Sequence, residues 1–344
     1  MKFGPAVAFV GVIAAALLTA AMLLTAGWSR PPVHAEQFGY RGVAMGQITD
    51  PRAARLIKYA NSVPEPLDPA PATGKKARAE YKNVKVLGDL SVDQFNRVML
   101  AITAWVSPDQ GCAYCHNTDN LADDGLYTKI VARRMLQLTR HVNTDWKAHV
   151  ASTGVTCYTC HRGAPVPSNV WFNGPNAPHA GGFAADTYGM GHPTRVNDST
   201  ALPSNALAPY LDKDDSIRVS GKTALPGGFG ASIQTTEKTF SLMIHMSESL
   251  GVNCTYCHNS RAFPDWSQSS PARATAWQGL QMVRDVNDNY LDPLKGVLPA
   301  SRLGPQGDAP KADCATCHQG VAIPLLGASM AKDYPELGGA PAQK

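Results

Sequence analysis

The pattern Cys-x-x-Cys-His occurs four times, at 112–116, 157–161, 254–258 and 314–318, and these motifs use all eight cysteines of the chain. Two thiols one helical turn apart can form thioethers to the two vinyl groups of one haem, and the next residue then offers its imidazole to the iron. The spacing predicts four covalently bound c haems. Cys112, Cys115, Cys157, Cys160, Cys254, Cys257, Cys314 and Cys317 would attach them, with His116, His161, His258 and His318 as proximal ligands. Zinc knuckles also use Cys-x-x-Cys pairs, but a tetrahedral zinc site does not require a histidine after every second cysteine. Disulfides in an exported chain would leave the four adjacent histidines without a reason.

Porphyrins supply apolar core, so such a chain needs few regular elements. Only 17 % of residues are charged, and Gly plus Pro number 56 of 344. The expected fold is mainly α with extensive irregular loops. The formal charge of +4 is not read as nucleic-acid binding, because haem propionates offset it.

An uncharged run of 23 residues extends from Pro5 to Gly27. About 20 apolar residues span a bilayer, whereas secretory apolar regions usually run to about 7–15. The length favours a retained transmembrane helix over a signal cleaved near Val33-His34-Ala35. Haem attachment by thioether takes place outside the bacterial inner membrane, which puts the bulk of the chain in the periplasm.

The motifs fall into two pairs: His116 and His161 are 45 residues apart, His258 and His318 are 60 apart, and 97 residues separate the pairs. Arg140-His141-Val142-Asn143-Thr144-Asp145-Trp146 parallels Arg284-Asp285-Val286-Asn287-Asp288-Asn289-Tyr290, each ahead of the second motif of its pair. The chain reads as two pseudo-repeated dihaem modules, 91–162 and 231–320, joined by a Gly/Pro/Asn-rich connector at 163–230. An anchor at 1–35, a segment at 36–90 and a tail at 321–344 complete it. Helices are expected near 51–61, 91–106, 125–141, 236–250 and 272–288. Ser91 and Gln94 form a capping-box pattern at the second of these. No strand signal is convincing.

Each iron needs a sixth ligand if its task is electron transfer, and methionine thioether raises the potential. Met99 and Met243 hold corresponding places, 17 and 15 residues before His116 and His258. Met135 is the helix residue before the second motif, but alignment of Arg140 with Arg284 puts Gly279 opposite it. The fourth haem therefore borrows a ligand. Met282 reads as packing, His141 and His245 as packed or exposed, and His149 is the leading candidate.

The paired modules, the Met-bearing helices and the segment Gly39-Tyr40-Arg41-Gly42-Val43-Ala44-Met45 together resemble the tetrahaem cytochrome subunit of purple-bacterial photosynthetic reaction centres, over roughly residues 37–325. The resemblance implies three His/Met haems and one His/His haem, with Met99, Met135, Met243 and His149 as sixth ligands of the first to fourth haems. It also implies an electron-transfer protein rather than an enzyme. Electrons would come from a soluble cytochrome c or high-potential iron–sulfur protein and pass to the photo-oxidised bacteriochlorophyll special pair, with 36–90 against the core subunits. Some members carry a lipidated cysteine, but here no cysteine precedes Cys112. Asp119, Asp123 and Asp124, and less so Asp212, Asp214 and Asp215, form a candidate acidic docking patch. A membrane-anchored tetrahaem quinol dehydrogenase is the alternative; the long connector and Met-bearing repeat argue against it. An enzyme with one open haem is a further reading, which would have to act at the fourth site.

Overall fold

The computed structural model describes residues 4–26, 34–38, 45–174, 202–203, 206–219 and 232–338. His179, His192, Gly39–Ala44 and most of the connector lie outside the described residues.

Helix α1 (Pro5–Thr25) starts on Pro5 and exposes its described apolar side chains, from Phe9 to Leu24. Those side chains begin at residue 9, and among the described residues no helix is long and apolar enough to cross a membrane. An antiparallel hairpin follows, β1 (His34–Phe38) against β2 (Met45–Thr49). Next come α2 (Pro51–Ala60), capped by Asp50, and the single turn α3 (Ala77–Glu80). Helix α4 (Val92–Val106) begins at the Ser91–Gln94 capping box. Helices α5 (Tyr127–Asp145) and α6 (Lys147–Val150) lead to α7 (Cys157–His161), the second motif. In the second half come α8 (Ile233–Leu250), α9 (Pro271–Val286) and α10 (Cys314–His318), and α11 (Met330–Asp333) and a 3-10 turn at Pro335–Gly338 follow. The strands β3 (Val170–Trp171) and β4 (Lys311–Ala312) pair antiparallel.

Every expected helix is present within a few residues, and the expectation of no strand is corrected. The ladders are only two and five residues long, and the shorter is too brief for an alternating pattern to register.

Two apolar cores form among the described residues. The first gathers Val98, Ala101 and Trp105 of α4, Leu136 of α5, and Tyr334 and Leu337 near the C-terminus. The second gathers Leu242 of α8, Leu280, Met282, Val283 and Val286 of α9, and Leu207, Tyr210 and Leu211. Met282 is thus a packing residue. The segment after each half covers the other half: residues 207–211 lie on the second core, residues 334–337 on the first.

Two asparagines tie these straps down in the same way. Asn143 accepts from the amide of Val155 at 2.7 Å and donates to Val155 O (2.9 Å) and Leu337 O (3.0 Å). Asn287 accepts from the amide of Ala312 at 2.8 Å and donates to Ala312 O (3.0 Å) and Leu211 O (2.8 Å). Val155 and Ala312 each lie two residues before a motif cysteine, so each asparagine fixes a motif and a strap together. The preceding arginines follow suit: Arg140 binds Asp89 and Glu336 O, while Arg284 binds Asp214 and Tyr210 O.

Candidate functional site

The first and third motifs open as 3-10 turns, Gly111–Tyr114 and Cys254–Tyr256, and the second and fourth are the short helices α7 and α10. In both helices a threonine hydroxyl accepts from the amide three residues earlier, Thr159 from Thr156 at 3.0 Å and Thr316 from Asp313 at 2.9 Å. Both end on a left-handed residue, Arg162 and Gln319, each with φ +49°. The following glycine amides donate to the ends of the long helices, Gly163 to Trp105 O and Gly320 to Ser249 O, both at 2.8 Å. A Cβ at Gly251 would collide with the Gly320 carbonyl, so that glycine admits the fourth motif onto α8.

All four motif histidines are held by Nδ1. His116 donates to Leu121 O (3.1 Å) and His258 to Phe263 O (3.0 Å), five residues on. His161 donates to Ala164 O (2.9 Å) and His318 to Val321 O (3.0 Å), three residues on. A carbonyl fixes the proton on Nδ1 and leaves Nε2 with its lone pair, the arrangement of a metal-bound imidazole. Burial lowers the pKa of His161 and His258 and takes His318 down to about 4, which keeps those rings neutral. Burial also raises the thiols, Cys157 and Cys257 to about 11 and Cys314 to about 12.

Met99 on α4 is half-buried against the first core and Met243 on α8 against the second; Met135 is half-buried on α5. The structure brings His149 to His318, with ring centroids 5.9 Å apart and planes at 69°. Two imidazole–metal bonds of about 2 Å each would put centroids about 6 Å apart. Nδ1 of His149 is bonded to Thr275 O at 2.9 Å, which leaves Nε2 as its other ring nitrogen. Gly279 makes the room: a Cβ there would lie 2.6 Å from Cε1 of His149. The residue that interrupts the methionine pattern in sequence is the one that lets the histidine in.

His141 sits between Asp145 and Asp285, and His245 is buried 3.9 Å from Asp313. Cys160 and Cys317 are joined as a disulfide, with Cα atoms 4.6 Å apart. A sulfur in a disulfide cannot form a thioether, so this bond and haem attachment at those two positions are alternative states. It also brings the second and fourth motifs side by side. Asp124 accepts from Asn83, Lys129 and Arg133, and Asp123 from Asn117 and the Gly125 amide. Asp123 is thus engaged within its own loop, and Asp124 by Asn83 and two α5 cations. Sequence reasoning missed Lys129 and both asparagine clamps; the aligned pair Asn143 and Asn287 was the available signal.

A porphyrin suits these surroundings. Leu121 and Leu126 after the first motif, and Phe263 and Trp266 after the third, are exposed apolar side chains of the kind a haem face covers. Paired thiols beside an imidazole with a free Nε2, set among helices and loops, define a cytochrome of the c class.

The family model for the photosynthetic reaction centre cytochrome c subunit matches residues 29–338. The reaction centre cytochrome c subunit of Thermochromatium tepidum is 50 % identical over 94 % of this chain and 79 % of its own length. That of Rubrivivax gelatinosus is 50 % identical over 94 % and 88 %, and that of Roseobacter denitrificans 44 % over 97 % and 93 %. The chain belongs to the photosynthetic reaction centre cytochrome c subunit family. It is an electron-transfer protein of the photosynthetic membrane, carries covalently bound haem c and associates with the reaction-centre core; it is not an enzyme.

Proposed function

We propose that the chain holds four haems in two dihaem modules, 91–162 and 231–320, and relays electrons from a soluble cytochrome c or high-potential iron–sulfur protein to the bacteriochlorophyll special pair. The observation that carries the count is the fourfold Nδ1-to-carbonyl arrangement, with its five-residue reach in the first motif of each pair and three-residue reach in the second. Bound haem c supplies a one-electron ferric/ferrous couple.

The protein's own residues bind, orient and shelter. Cys112/Cys115, Cys157/Cys160, Cys254/Cys257 and Cys314/Cys317 would attach the porphyrins, and His116, His161, His258 and His318 would face them with Nε2. Met99, Met135 and Met243 would complete the first three sites and His149 the fourth. The approach of His149 to His318, and the room that Gly279 leaves for the His149 ring, support the last assignment. Thioether ligands favour ferrous iron, so the His149 site should be of lower potential than a His/Met site in like surroundings.

The anchor would be residues 1–35, with the bulk in the periplasm; support comes from the uncharged run of Pro5–Gly27. Segment 36–90 would face the core subunits, 163–230 would join the modules, and 321–344 would form the tail. Flash spectroscopy on native membranes tests the whole reading. Haem oxidation after one pulse that survives washing away of soluble cytochromes is expected; no flash response, with reduction by added quinol instead, would refute it.

A further inference from the structure

Two motif histidines share their carbonyl acceptor with a cation. Leu121 O accepts from Nδ1 of His116 at 3.1 Å and from Nζ of Lys129 at 2.8 Å. Phe263 O accepts from Nδ1 of His258 at 3.0 Å and from Arg273 at 3.3 Å. Lys129 and Arg273 are themselves aligned when Arg140 is set against Arg284.

Lys129 is the stronger case because its side chain is only 8 % exposed. An ammonium has three donors, and all three have partners in one loop: Leu121 O, Asp123 O at 2.6 Å and Asp124 Oδ1 at 3.1 Å. The cation is therefore fixed beside the Nδ1 edge of His116. Asp124 opposes it, but that carboxylate is 42 % exposed and also pairs with Arg133 at 2.9 Å. Solvent and Arg133 screen the negative charge more than the buried ammonium is screened.

The sign of the effect follows from the ligand. A strong acceptor on Nδ1–H makes an imidazole more basic toward its metal, and a more basic ligand favours the ferric state. A cation bonded to the same oxygen weakens that acceptor. Its field also opposes the extra positive charge of ferric iron. Both effects act in one direction.

We propose that Lys129 is a positioning residue that raises the potential of the haem held by His116, acting through the shared Leu121 carbonyl. The couple takes up one electron at the iron and involves no proton. The proposal rests on His116 being an axial ligand, and the test separates the two.

In full-length holoprotein in its membrane, redox titration of the α-band is run on wild type, K129Q, K129R and D124N, with C112S/C115S to identify the component. That double variant must remove one haem component; if it does not, the haem assignment at this motif fails. For the component so identified, K129Q should lower the reduction equilibrium constant about tenfold, or about 59 mV for one electron. K129R should restore most of it, and D124N should shift it the opposite way. A K129Q protein with four intact haems and no shifted component would overturn the proposal. If K129Q fails to load haem, K129M is titrated in its place, and an unshifted component there would overturn the proposal.

Discussion

Nε2 of His141 lies 2.5 Å from Oδ2 of Asp285, and these are the two residues that occupy the same place in the aligned halves of the chain. Their neighbours correspond as well. His141 pairs with Asp145 four residues on, at 2.7 Å, and Asp285 with Asn289 four residues on, also at 2.7 Å. Trp146 donates to Asp285, while Tyr290 stacks on His141 at 5.2 Å. Helices α5 and α9 thus meet through like positions that carry unlike groups.

The contact predicts a pH-dependent stability. Burial raises the Asp285 carboxyl, and the bonds from His141, Trp146 and Asn289 outweigh it, so the net shift is downward. A carboxylate lowered in the fold contributes stability that is whole above its unfolded value, about 3.9, and lost as pH falls through its folded value. D285A should cost about 2 kcal/mol at neutral pH. Denaturant titrations should show this difference from wild type shrinking below about pH 4; a constant difference down to the acid limit would refute the linkage.

Gly279→Ala should displace His149, the proposed sixth ligand of the fourth haem, without touching a haem motif. The added methyl would need the space of the His149 ring, and overpacking of this kind costs about 1–3 kcal/mol. Low-temperature EPR should show loss of a single bis-histidine signal with the other haems unchanged. Four unchanged signals would mean that His149 is not the ligand or that α9 yields.

The two asparagine clamps should differ in cost. Asn287 is fully buried, whereas Asn143 is half-buried. Leaving buried amide and carbonyl groups unpaired costs about 1–3 kcal/mol each. Urea midpoints should fall further for N287A than for N143A, and the reverse order would contradict the burial argument.

Thiol counting distinguishes the two fates of Cys160 and Cys317. Haem-free chain, denatured without reductant, should react at six thiols, the cysteines outside the disulfide. Reduction should expose all eight, and the mature protein should expose none if four haems are attached. C160S or C317S in haem-free chain should leave seven thiols with or without reductant.

Much of the site was legible in the chain because its signals are local. A Cys-x-x-Cys-His motif spans one turn, so spacing alone names the thiols and imidazoles, and periodicity with the Ser91 cap located α4 within a residue. Gly279 also broke the methionine pattern visibly. What the sequence left undecided depends on how separate elements meet. His149 reaches His318 only in the folded chain, where α6 packs on α9 and Gly279 leaves room for its ring, and Lys129 reaches the Leu121 carbonyl only after the loop has turned back on α5. The straps at 207–211 and 334–337 look like connector and tail, yet each closes the core of the opposite half. Sequence alone determined which groups can bind a haem, since that chemistry lies within five residues. Tertiary packing decided which imidazoles face one another, because that pairing crosses more than a hundred residues of chain, and which charges stand behind them, because a helix side chain and a loop carbonyl meet only once both are folded.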